Sequence, residues 1–459
     1  MKSKKKALTP EEKLAQALLP REEWPYELPK GWVWTRLGVL SASQYGYTAK
    51  ALQNADSPKF LRITDIQDGN INWGTVPNCN IDGKSLDVYK LTPGDIVIAR
   101  TGATTGKSCF LLNLPQDTVF ASFLIRLRIK RQICKYFIYL FLQSDLYWKQ
   151  ITELSAGIAQ PGVNSSKLKG IKFPLPPLTE QQRIVDKIES LFAKLDEAGD
   201  RLQKVLDGYE ARRAAILHEA FSGKWTGDSG EQSDIKRMPL KKCGVWHGGG
   251  TPSKSHPEYW ANGSIMWITS KDMKTDVIEN SLICVNEKGI ENSSAVYSDK
   301  PAVLFVMRSG VLRHTLPIAM VSKPYTVNQD LKALTPEEGI LPEYVMWACK
   351  AEEKTILNQC MKSGTTVESI NFQSLLHFQI PVYPEKKQRY IVDRIHKALT
   401  SEESSLNHIS SVYTQIDIMK KSILARAFRG ELGTQNPSDP SALELLKECV
   451  LAGKEISKS

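Results

Sequence analysis

The chain repeats itself once, and this repeat limits the folds open to it more than any other feature. Residues 155–223 and 362–430 align without a gap at a constant offset of 207, and sixteen of the 69 aligned pairs are identical. Most of the identities fall in two blocks, 177–188 and 216–223 in the first copy, which align with 384–395 and 423–430 in the second. Two similar domains, each followed by a similar long helix, suit a target that itself has two parts.

Length, charge and cysteine usage narrow the class of protein. A chain of 459 residues exceeds what one hydrophobic core supports, so the repeat predicts two principal domains. The net charge of +10 and the pI of about 9.0 favour a polyanionic partner such as nucleic acid. The eight cysteines form no Cys-x-x-Cys pair, which is typical of free thiols in a reducing compartment and predicts no zinc site.

Targeting and cofactor patterns are not found in the sequence. The lysine-rich start at Met1–Lys6 is followed by polar residues, unlike a secretory signal peptide. The most apolar run, residues 136–142, is far shorter than the roughly 20 residues that span a bilayer. We therefore expect a cytoplasmic protein without a metal or another cofactor.

Changes in composition and the positions of prolines divide the chain into seven segments. Short apolar runs alternate with glycine- and asparagine-rich turns in both halves, and proline clusters precede two long segments that lack proline. The predicted segments are an N-terminal arm at 1–29, a first recognition domain at 30–177, a first spacer helix at 178–224, a linker at 225–237, a second recognition domain at 238–384, a second spacer helix at 385–432 and a C-terminal tail at 433–459.

Local patterns predict an α+β fold in both domains. Residues 60–64, 95–99, 109–112 and 120–127 are predicted to be strands in the first domain, and 265–269, 302–307 and 326–334 in the second. Residues 135–150 and 343–357 have the apolar spacing of helices, and a further helix is predicted at 441–451. The sequence therefore predicts two tandem strand-rich domains, each followed by a long helix.

The two long helices carry apolar seams. After Thr179, a predicted N-cap, apolar residues keep a 3-4 spacing to Ile216, with Arg212 as the one charged exception. In the second copy, Glu402 and Ser405 interrupt the seam near its middle. About 40 helical residues extend roughly 60 Å, which compares with one and a half to two turns of DNA. Antiparallel pairing of these helices would carry the two domains to opposite ends.

Glycine loops are the candidate ligand-facing elements. Thr101-Gly-Ala-Thr-Thr-Gly-Lys-Ser resembles a phosphate-binding loop, but it is one residue short and a strand pattern follows it. A glycine turn between strands is the better interpretation. The loop that begins His247-Gly-Gly-Gly-Thr-Pro-Ser-Lys is expected to be flexible and to bring its backbone close to a ligand, with Gln44-Tyr-Gly-Tyr-Thr-Ala-Lys as its counterpart. The candidate DNA-contacting residues, chosen by loop position, are Tyr45, Tyr47, Lys50, Arg100, Lys107, Lys254, Lys271, Arg308, Arg313 and His314.

Four motifs together resemble the DNA-specificity subunits of type I restriction–modification enzymes over about residues 20–432. The motifs are Trp24-Pro-Tyr-Glu-Leu-Pro-Lys-Gly-Trp, Gly94-Asp-Ile-Val-Ile-Ala-Arg-Thr-Gly-Ala-Thr-Thr-Gly-Lys, Gly248-Gly-Gly-Thr-Pro-Ser-Lys with Trp267-Ile-Thr-Ser-Lys-Asp, and Phe173-Pro-Leu-Pro-Pro-Leu-Thr-Glu-Gln-Gln-Arg-Ile-Val. The second half departs from the pattern, because Gly94 and Asp95 become Pro301 and Ala302 and its closing motif is looser. The order of these four motifs, repeated around two helices, makes the resemblance specific.

The resemblance implies a non-catalytic subunit that selects the DNA target for partner enzymes. Each domain would read one half of a split double-stranded DNA target, and the helices would pair antiparallel as a spacer with approximate two-fold symmetry. Two methyltransferase subunits would dock on the spacer, and a nuclease–translocase subunit can join. The candidate partner-binding residues on the seams are Ile188, Leu191, Leu195, Leu202, Val205, Ile395, Ile409, Val412, Ile416 and Ile423.

Two other functions remain open at this point. A coiled-coil scaffold whose repeated domains bind protein would show no salt-dependent DNA binding. An NTPase that uses residues 102–108 would be stabilised by nucleotide, and Lys107→Ala would abolish that effect. The tandem order of domain and helix favours the DNA-specificity subunit over the scaffold.

Overall fold

The structure is a computed structural model, and it describes residues 9–53, 56–67, 69–115, 117–155, 162–227, 236–362 and 367–452. The described residues form two compact units, one within Met1–Arg201 and Ser411–Ser459 and the other within Leu202–Ser410. Within the described ranges, no helix combines the length and the apolar character needed to cross a membrane. Residues 156–159 and 363–366, which align with each other in the repeat, lie outside the described residues.

The helices are numbered in chain order. They are α1 (Pro10–Ala17), α2 (Leu37–Leu40), α3 (Gly83–Tyr89), α4 (Lys135–Phe141), α5 (Asp145–Ser155), α6 (Ser165–Gly170), α7 (Leu178–Asp207), α8 (Tyr209–Phe221), α9 (Glu287–Glu291), α10 (Pro342–Ala351), α11 (Glu353–Cys360), α12 (Phe372–His377), α13 (Glu385–Phe428) and α14 (Ala442–Leu451).

The strands are short and belong to several small sheets. They are β1 (Val33–Arg36), β2 (Ser41–Tyr45), β3 (Lys59–Leu61), β4 (Ile66–Gln67), β5 (Asn70–Ile71), β6 (Ile96–Ala99), β7 (Ser108–Phe110), β8 (Thr118–Phe120), β9 (Leu124–Ile129), β10 (Lys172–Leu175), β11 (Lys236–Pro239), β12 (Gly244–Gly248), β13 (Ile265–Ile268), β14 (Val277–Ile278), β15 (Cys284–Val285), β16 (Ala302–Val306), β17 (Ile318–Val321), β18 (Tyr325–Val327), β19 (Leu331–Pro336) and β20 (Gln379–Val382).

The main sheets of the two units have the same order of four strands, to which the second unit adds a fifth. The main sheet has the strand order β2-β9-β6-β7 in the first unit and β12-β19-β16-β17-β14 in the second. Each unit also pairs two strands in parallel, β3 with β8 and β13 with β18, and closes with an antiparallel pair, β1 with β10 and β11 with β20. The predicted mixture of helix and sheet in two tandem domains is therefore present.

The offset of 207 extends well beyond the segment in which sequence identity reveals it. The bounds of α6 and α12, of β10 and β20, and the first residues of α7 and α13 differ by that number. Strand registers repeat it too, since Phe60 lies opposite Val119 as Trp267 lies opposite Thr326. The repeat thus covers the recognition domains as well as the helices.

Identical residues of the repeat have structural roles. Asn164 and Asn371 are the N-caps of α6 and α12, and each side chain accepts a backbone N–H. Gly223 and Gly430 follow the ends of α8 and α13 with φ values of 83° and 72°, a conformation that glycine adopts without strain. The repeated blocks therefore mark where the long helices begin and end.

Several predicted elements are divided in the structure. The helix predicted at 135–150 is α4 and α5, because the Ser144 hydroxyl donates to the Phe141 carbonyl in the turn between them. The helix predicted at 343–357 is likewise α10 and α11. The strand predicted at 120–127 is β8 and β9, and that at 326–334 is β18 and β19, because the chain leaves one sheet and enters another between them.

The first spacer helix also differs from its prediction. It is divided at Gly208 into α7 and α8. Thr179 is the second residue of α7 and not its N-cap, and its hydroxyl donates to Asp439 Oδ1 at 2.7 Å. The Pro177 carbonyl instead accepts the N–H of Gln181 in the first turn. The C-terminal helix is observed as predicted, with Ser441 as its N-cap.

Each long helix is tied to a core at its ends. In the first unit, Ile184 and Ile188 of α7 share a core with Leu424 and Phe428 of α13, and α14 packs into the same core. In the second unit, the core includes Leu217 and Ala220 of α8 together with Ile391 and Ile395 of α13. Repeated apolar residues therefore anchor the helices to the sheet of each unit.

Candidate nucleic-acid interface

One turn recurs in both units and is held there by equivalent backbone hydrogen bonds. The first tip turn, residues 121–123, joins β8 to β9, and the second tip turn, residues 328–330, joins β18 to β19. Equivalent hydrogen bonds hold the two turns at the repeat offset. They are Arg100 N–H to the Phe123 carbonyl at 3.0 Å and Met307 N–H to the Asp330 carbonyl at 2.7 Å, and Ala121 N–H to Leu61 at 2.9 Å and Asn328 N–H to Ile268 at 3.0 Å.

A glycine packs closely against the backbone at or next to each tip turn. A Cβ on Gly46 would lie 2.2 Å from the Ala121 carbonyl oxygen, and one on Gly249 would lie 1.6 Å from the Val327 carbonyl oxygen. A side chain at either position would clash with this backbone, so both glycines are required for internal packing. His247 and Gly248 belong to β12, and the strand registers confirm that Gln44-Tyr-Gly corresponds to His247-Gly-Gly.

Tyr45 and Arg100 meet beside the first tip turn. The Arg100 guanidinium carbon lies 4.8 Å from the centre of the Tyr45 ring, within cation–π range. Arg100 Nη1 is 3.4 Å from the Ser122 carbonyl oxygen, and the Tyr45 hydroxyl accepts the N–H of Ser165 at 3.0 Å. Phe123 projects from the same turn and is 58% exposed. This turn therefore presents a cation and two aromatic rings together.

The second tip turn has different side chains on the same frame. Arg308 Nε donates to Asp330 Oδ1 at 2.8 Å, and the Thr251 hydroxyl donates to Gln329 Oε1 at 2.6 Å. Arg313 forms an ion pair with Glu368, whose carbonyl accepts the N–H of Ser309. The predicted residues Arg308 and Arg313 are thus brought to one loop cluster, where carboxylates orient both.

The remaining predicted DNA residues are spread over the surface. Lys50, Lys107, Lys254, Lys271 and His314 are exposed. Tyr47 is half-buried, and its ring packs against that of Tyr89, with 5.2 Å between the ring centres. These residues are not assembled into one cluster by any contact that the described residues make.

The glycine turn at 101–108 is a hairpin connection, as the better interpretation predicted. It joins β6 to β7, and Gly102 and Gly106 have φ values of 81° and 88°. The Thr105 hydroxyl donates to the Gly102 carbonyl at 2.7 Å, and a strand, not a helix, follows Ser108. A phosphate-binding loop needs the N-terminus of a helix at this point, so the NTPase hypothesis loses its structural basis.

Sequence reasoning missed two exposed tip residues, Phe123 and Gln329. Both fell inside segments predicted as continuous strands, so neither was considered a surface residue. A register comparison between the two copies would have found them. Phe123 aligns with Asp330 and Ser122 with Gln329. The second copy therefore has two polar residues inside a segment that is largely apolar in the first copy.

The long helices make specific polar contacts within each unit. In the first unit, Lys420 pairs with Asp196, and the Tyr413 hydroxyl donates to the Gly199 carbonyl at 2.6 Å. In the second unit, Arg212 Nε lies 2.9 Å from Glu402 Oε2. The charged exception of the first seam is therefore the partner of the charged interruption of the second.

Burial separates the predicted partner-binding residues into two groups. Ile188, Ile395 and Ile416 are buried in the chain, so their side chains are not available to another subunit. Val205 and Val412 are exposed. The remaining predicted seam residues, which are partly covered, are Leu191, Leu195, Leu202, Ile409 and Ile423.

Residues 32, 434 and 439 contact the start of α7 in the first unit. Trp32 Nε1 donates to Glu180 Oε2 at 2.8 Å, and the Thr434 hydroxyl donates to Glu180 Oε1 at 3.1 Å. Burial raises the pKa of Glu180, while these two hydrogen bonds oppose the rise. Arg183 forms an ion pair with Asp439 of the tail. The Tyr26 hydroxyl donates to the Phe428 carbonyl at 2.7 Å, which explains the Trp24-Pro-Tyr motif as a structural contact.

Comparison with known proteins identifies relatives over almost the whole chain. The family model described as the type I restriction modification DNA specificity domain matches residues 29–206 and 233–410. The EcoKI specificity subunit of Escherichia coli K12 is 26% identical over 89% of this chain and 91% of its own length. The EcoR124I/EcoR124II specificity subunit of Escherichia coli is 32% identical, but the match covers 51% of this chain and 57% of that protein.

Solved structures agree on the fold. The HsdS subunit from Thermoanaerobacter tengcongensis matches with a TM-score of 0.58 at 20% identity, over 89% of this chain and 100% of that chain. A chain from a structure described as the basis of complex assembly and conformational transition of the type I R-M system matches with a TM-score of 0.61, at 20% identity and the same coverage. At this level of identity the likeness concerns the fold alone.

Proposed function

This chain belongs to the type I restriction–modification DNA specificity family, and on that premise we propose that it is the non-catalytic subunit that selects the DNA target. Each recognition domain reads one half of a bipartite double-stranded sequence. The observation that carries this proposal is the recurrence of one recognition frame at one offset, with different side chains on its two tip turns. Family membership favours this function over a protein-binding scaffold.

The spacer helices set the unread gap between the half-sites in this proposal. They would pair antiparallel as a coiled coil with approximate two-fold symmetry. Contacts within each unit support antiparallel pairing. Residues that come later in the chain contact residues that come earlier in α13. The supporting pairs are Asp196 with Lys420 and Gly199 with Tyr413 in the first unit, and Arg212 with Glu402 and Trp225 with Arg394 in the second.

Catalysis belongs to partner subunits in this proposal. Two methyltransferase subunits would dock along the spacer and modify adenine, and a nuclease–translocase subunit would join them. The exposed apolar residues Val205, Val412, Ile418 and Met419 are the candidate docking contacts on the helices. A cytoplasmic complex with DNA fits the free cysteines among the described residues.

Co-expression with the neighbouring methyltransferase reading frame, followed by methylome sequencing in a host without other modification, tests the function. We expect a single split motif with modified adenines on both strands. An unmodified genome, despite a soluble co-purifying complex, would contradict the proposal and favour the scaffold. Binding of the purified complex to the motif should weaken steeply with salt, because phosphate contacts release counterions.

A further inference from the structure

We propose that the two tip turns are base-reading elements and that they read DNA by different chemistry. Phe123 in the first tip turn makes an apolar contact with the C5-methyl group of a thymine, and Gln329 in the second donates and accepts hydrogen bonds at a base edge. This inference rests on the proposed function and names the residues through which that function selects sequence.

The two tip turns share their backbone hydrogen bonds but differ in their side chains. The backbone hydrogen bonds that hold the turns are equivalent in the two units, down to the bridges between Thr101 and Gly162 and between Arg308 and Ser369. The side chains on this frame all differ between the copies. The differing pairs are Arg100 and Met307, Thr101 and Arg308, Ser122 and Gln329, Phe123 and Asp330, and Tyr45 and Gly248.

This contrast is what two readers of different half-sites require. Most identical residues of the repeat lie where they cap helices, fill cores or stop helices. The tip positions, in contrast, keep their geometry while their chemistry changes. A turn that served packing alone would need no exposed aromatic ring in one copy and no exposed amide in the other.

The chemistry of the first tip turn fits a thymine. Phe123 is 58% exposed in the turn, which is unusual for a large apolar side chain. Arg100 stands beside it, with its guanidinium over Tyr45, so a cation accompanies the apolar surface. The thymine methyl is the apolar group of the major groove, and phenylalanine is among the side chains that contact it.

The chemistry of the second tip turn fits hydrogen bonding. Gln329 is exposed, and its amide is oriented by the Thr251 hydroxyl at 2.6 Å. The Asp330 carboxylate holds Arg308 at 2.8 Å, so the guanidinium is directed at the same loop. Glutamine recognises adenine through paired donor and acceptor atoms, and an oriented side chain loses less entropy when it does so.

The experiment uses the complex with the methyltransferase subunit and oligonucleotides that carry the motif found for the unaltered protein. Each thymine of each half-site is replaced in turn by uracil, which lacks only the methyl group. We expect one substitution, in one half-site, to weaken binding about fourfold, the value of one buried methyl-sized group. Phe123→Ala should weaken binding to the thymine target and abolish the difference between thymine and uracil.

Gln329→Ala provides the second arm. It should relax the methylome motif at one position of the other half-site and weaken binding to the original base there by roughly 5- to 150-fold. Matched controls are Leu112→Ala, an exposed apolar residue of the first unit, and Gln373→Ala, an exposed glutamine of the second. Neither control should change the motif, and thermal unfolding should show that all four variants fold.

Distinct results would overturn the inference. Uniform weakening on every sequence, effects of both variants in the same half-site, or a Phe123→Ala variant that still discriminates thymine from uracil would each contradict it while the split motif of the unaltered protein upheld the proposed function. The absence of any motif with the unaltered protein would overturn the proposed function and this inference together.

Discussion

Two buried glutamines explain why the repeated motif before each long helix contains this residue. Gln181 accepts the N–H of Cys134 at 3.0 Å and donates to the Pro176 carbonyl at 3.0 Å. Gln388 makes the equivalent pair of bonds to Leu341 and Tyr383, at 2.9 and 2.7 Å. Each amide therefore ties the first turn of a spacer helix to the start of a domain helix, at the repeat offset.

Replacing one of these glutamines should destabilise only its own unit. Gln181→Leu leaves the partly buried N–H of Cys134 and the buried carbonyl of Pro176 without this partner, so we expect a loss of about 2–4 kcal/mol. Hydrogen exchange should increase in residues 134–141 and 178–188 and stay unchanged in 341–348. Gln182→Leu, which changes an exposed neighbour, should alter stability by less than about 0.5 kcal/mol. Equal exchange in both units would refute this account.

A buried ion pair is present in one copy and absent from the other. In the first unit, Asp95 and Arg126 are both buried, with 3.9 Å between Oδ2 and Nη1. Burial, followed by the charge of Arg128, lowers the pKa of Arg126 to about 10. The equivalent residues of the second unit, Ala302 and Ala333, are both buried and uncharged. The second unit thus has neither the acid nor the base at these positions, so neither copy buries one of these charges alone.

A double-mutant cycle measures this coupling. Asp95→Asn keeps an acceptor for the Thr92 N–H but removes the charge, so we expect a cost of roughly 3 kcal/mol. Arg126→Met in addition should restore at least about 1 kcal/mol relative to the sum of the single changes. Urea unfolding of the four proteins gives the coupling energy. Strict additivity would mean that the pair is not energetically linked.

The raised pKa of Glu180 gives the first unit a pH-dependent stability. Because the folded protein holds this proton more tightly than the unfolded chain does, the group stabilises the fold below the ordinary pKa of 4.5, and this contribution is lost as pH rises through the folded pKa. Glu180→Gln should therefore gain stability relative to the unaltered protein as pH increases from about 4 to 7. A difference in unfolding free energy that stays constant across this range would contradict the assignment.

At the scale of elements, the charged residue in the first apolar seam forms an ion pair with a charged residue that interrupts the second seam. Arg212 of α8 pairs with Glu402 of α13, and Arg212 Nη1 also donates to the Val205 carbonyl at 2.9 Å, next to the break at Gly208. Neither feature could be interpreted from its own seam. The pair is partly exposed, so its net contribution is modest, but either residue alone would be a charge on an apolar face.

Single and double replacements of this pair should differ. Arg212→Met or Glu402→Met alone should lower the stability of the second unit, and the double variant should recover about 0.5–1 kcal/mol of the summed loss. The coupling should shrink at high salt because both side chains are partly solvated. Arg201 and Glu197, an exposed pair on α7, serve as the control cycle and should couple less. Equal coupling in both cycles would show that the seam position has no special role.

At the scale of the whole molecule, the chain ends belong to the first unit. Ala442 donates its N–H to the Gly31 carbonyl at 2.8 Å, and Lys130 donates to the Cys449 carbonyl. Leu446 of α14 is fully buried in the core that also holds α4 and the start of α7. The tail, to which the sequence assigned no role, therefore completes the hydrophobic core of one domain.

Truncation of one buried tail side chain should reveal this role. Leu446→Ala should destabilise the first unit by about 2–5 kcal/mol, the usual cost of a cavity in a packed core. Leu451→Ala on the same helix changes an exposed residue and should have little effect. Hydrogen exchange of residues 96–99 and 303–306 separates the two units, and only the first range should lose protection. Unchanged protection there would mean that α14 is dispensable for the core.

The sequence by itself determined the repeat, the two tandem α+β domains, the two long helices and the family, because these follow from periodicity, proline stops and motif order along the chain. Tertiary structure alone decided where the strands end, which glycines pack against backbone, and which seam residues are buried. It also revealed the two tip turns and the partners of Gln181, Arg212 and Asp95. The physical reason is that these features depend on contacts between residues far apart in the chain, which local patterns do not encode.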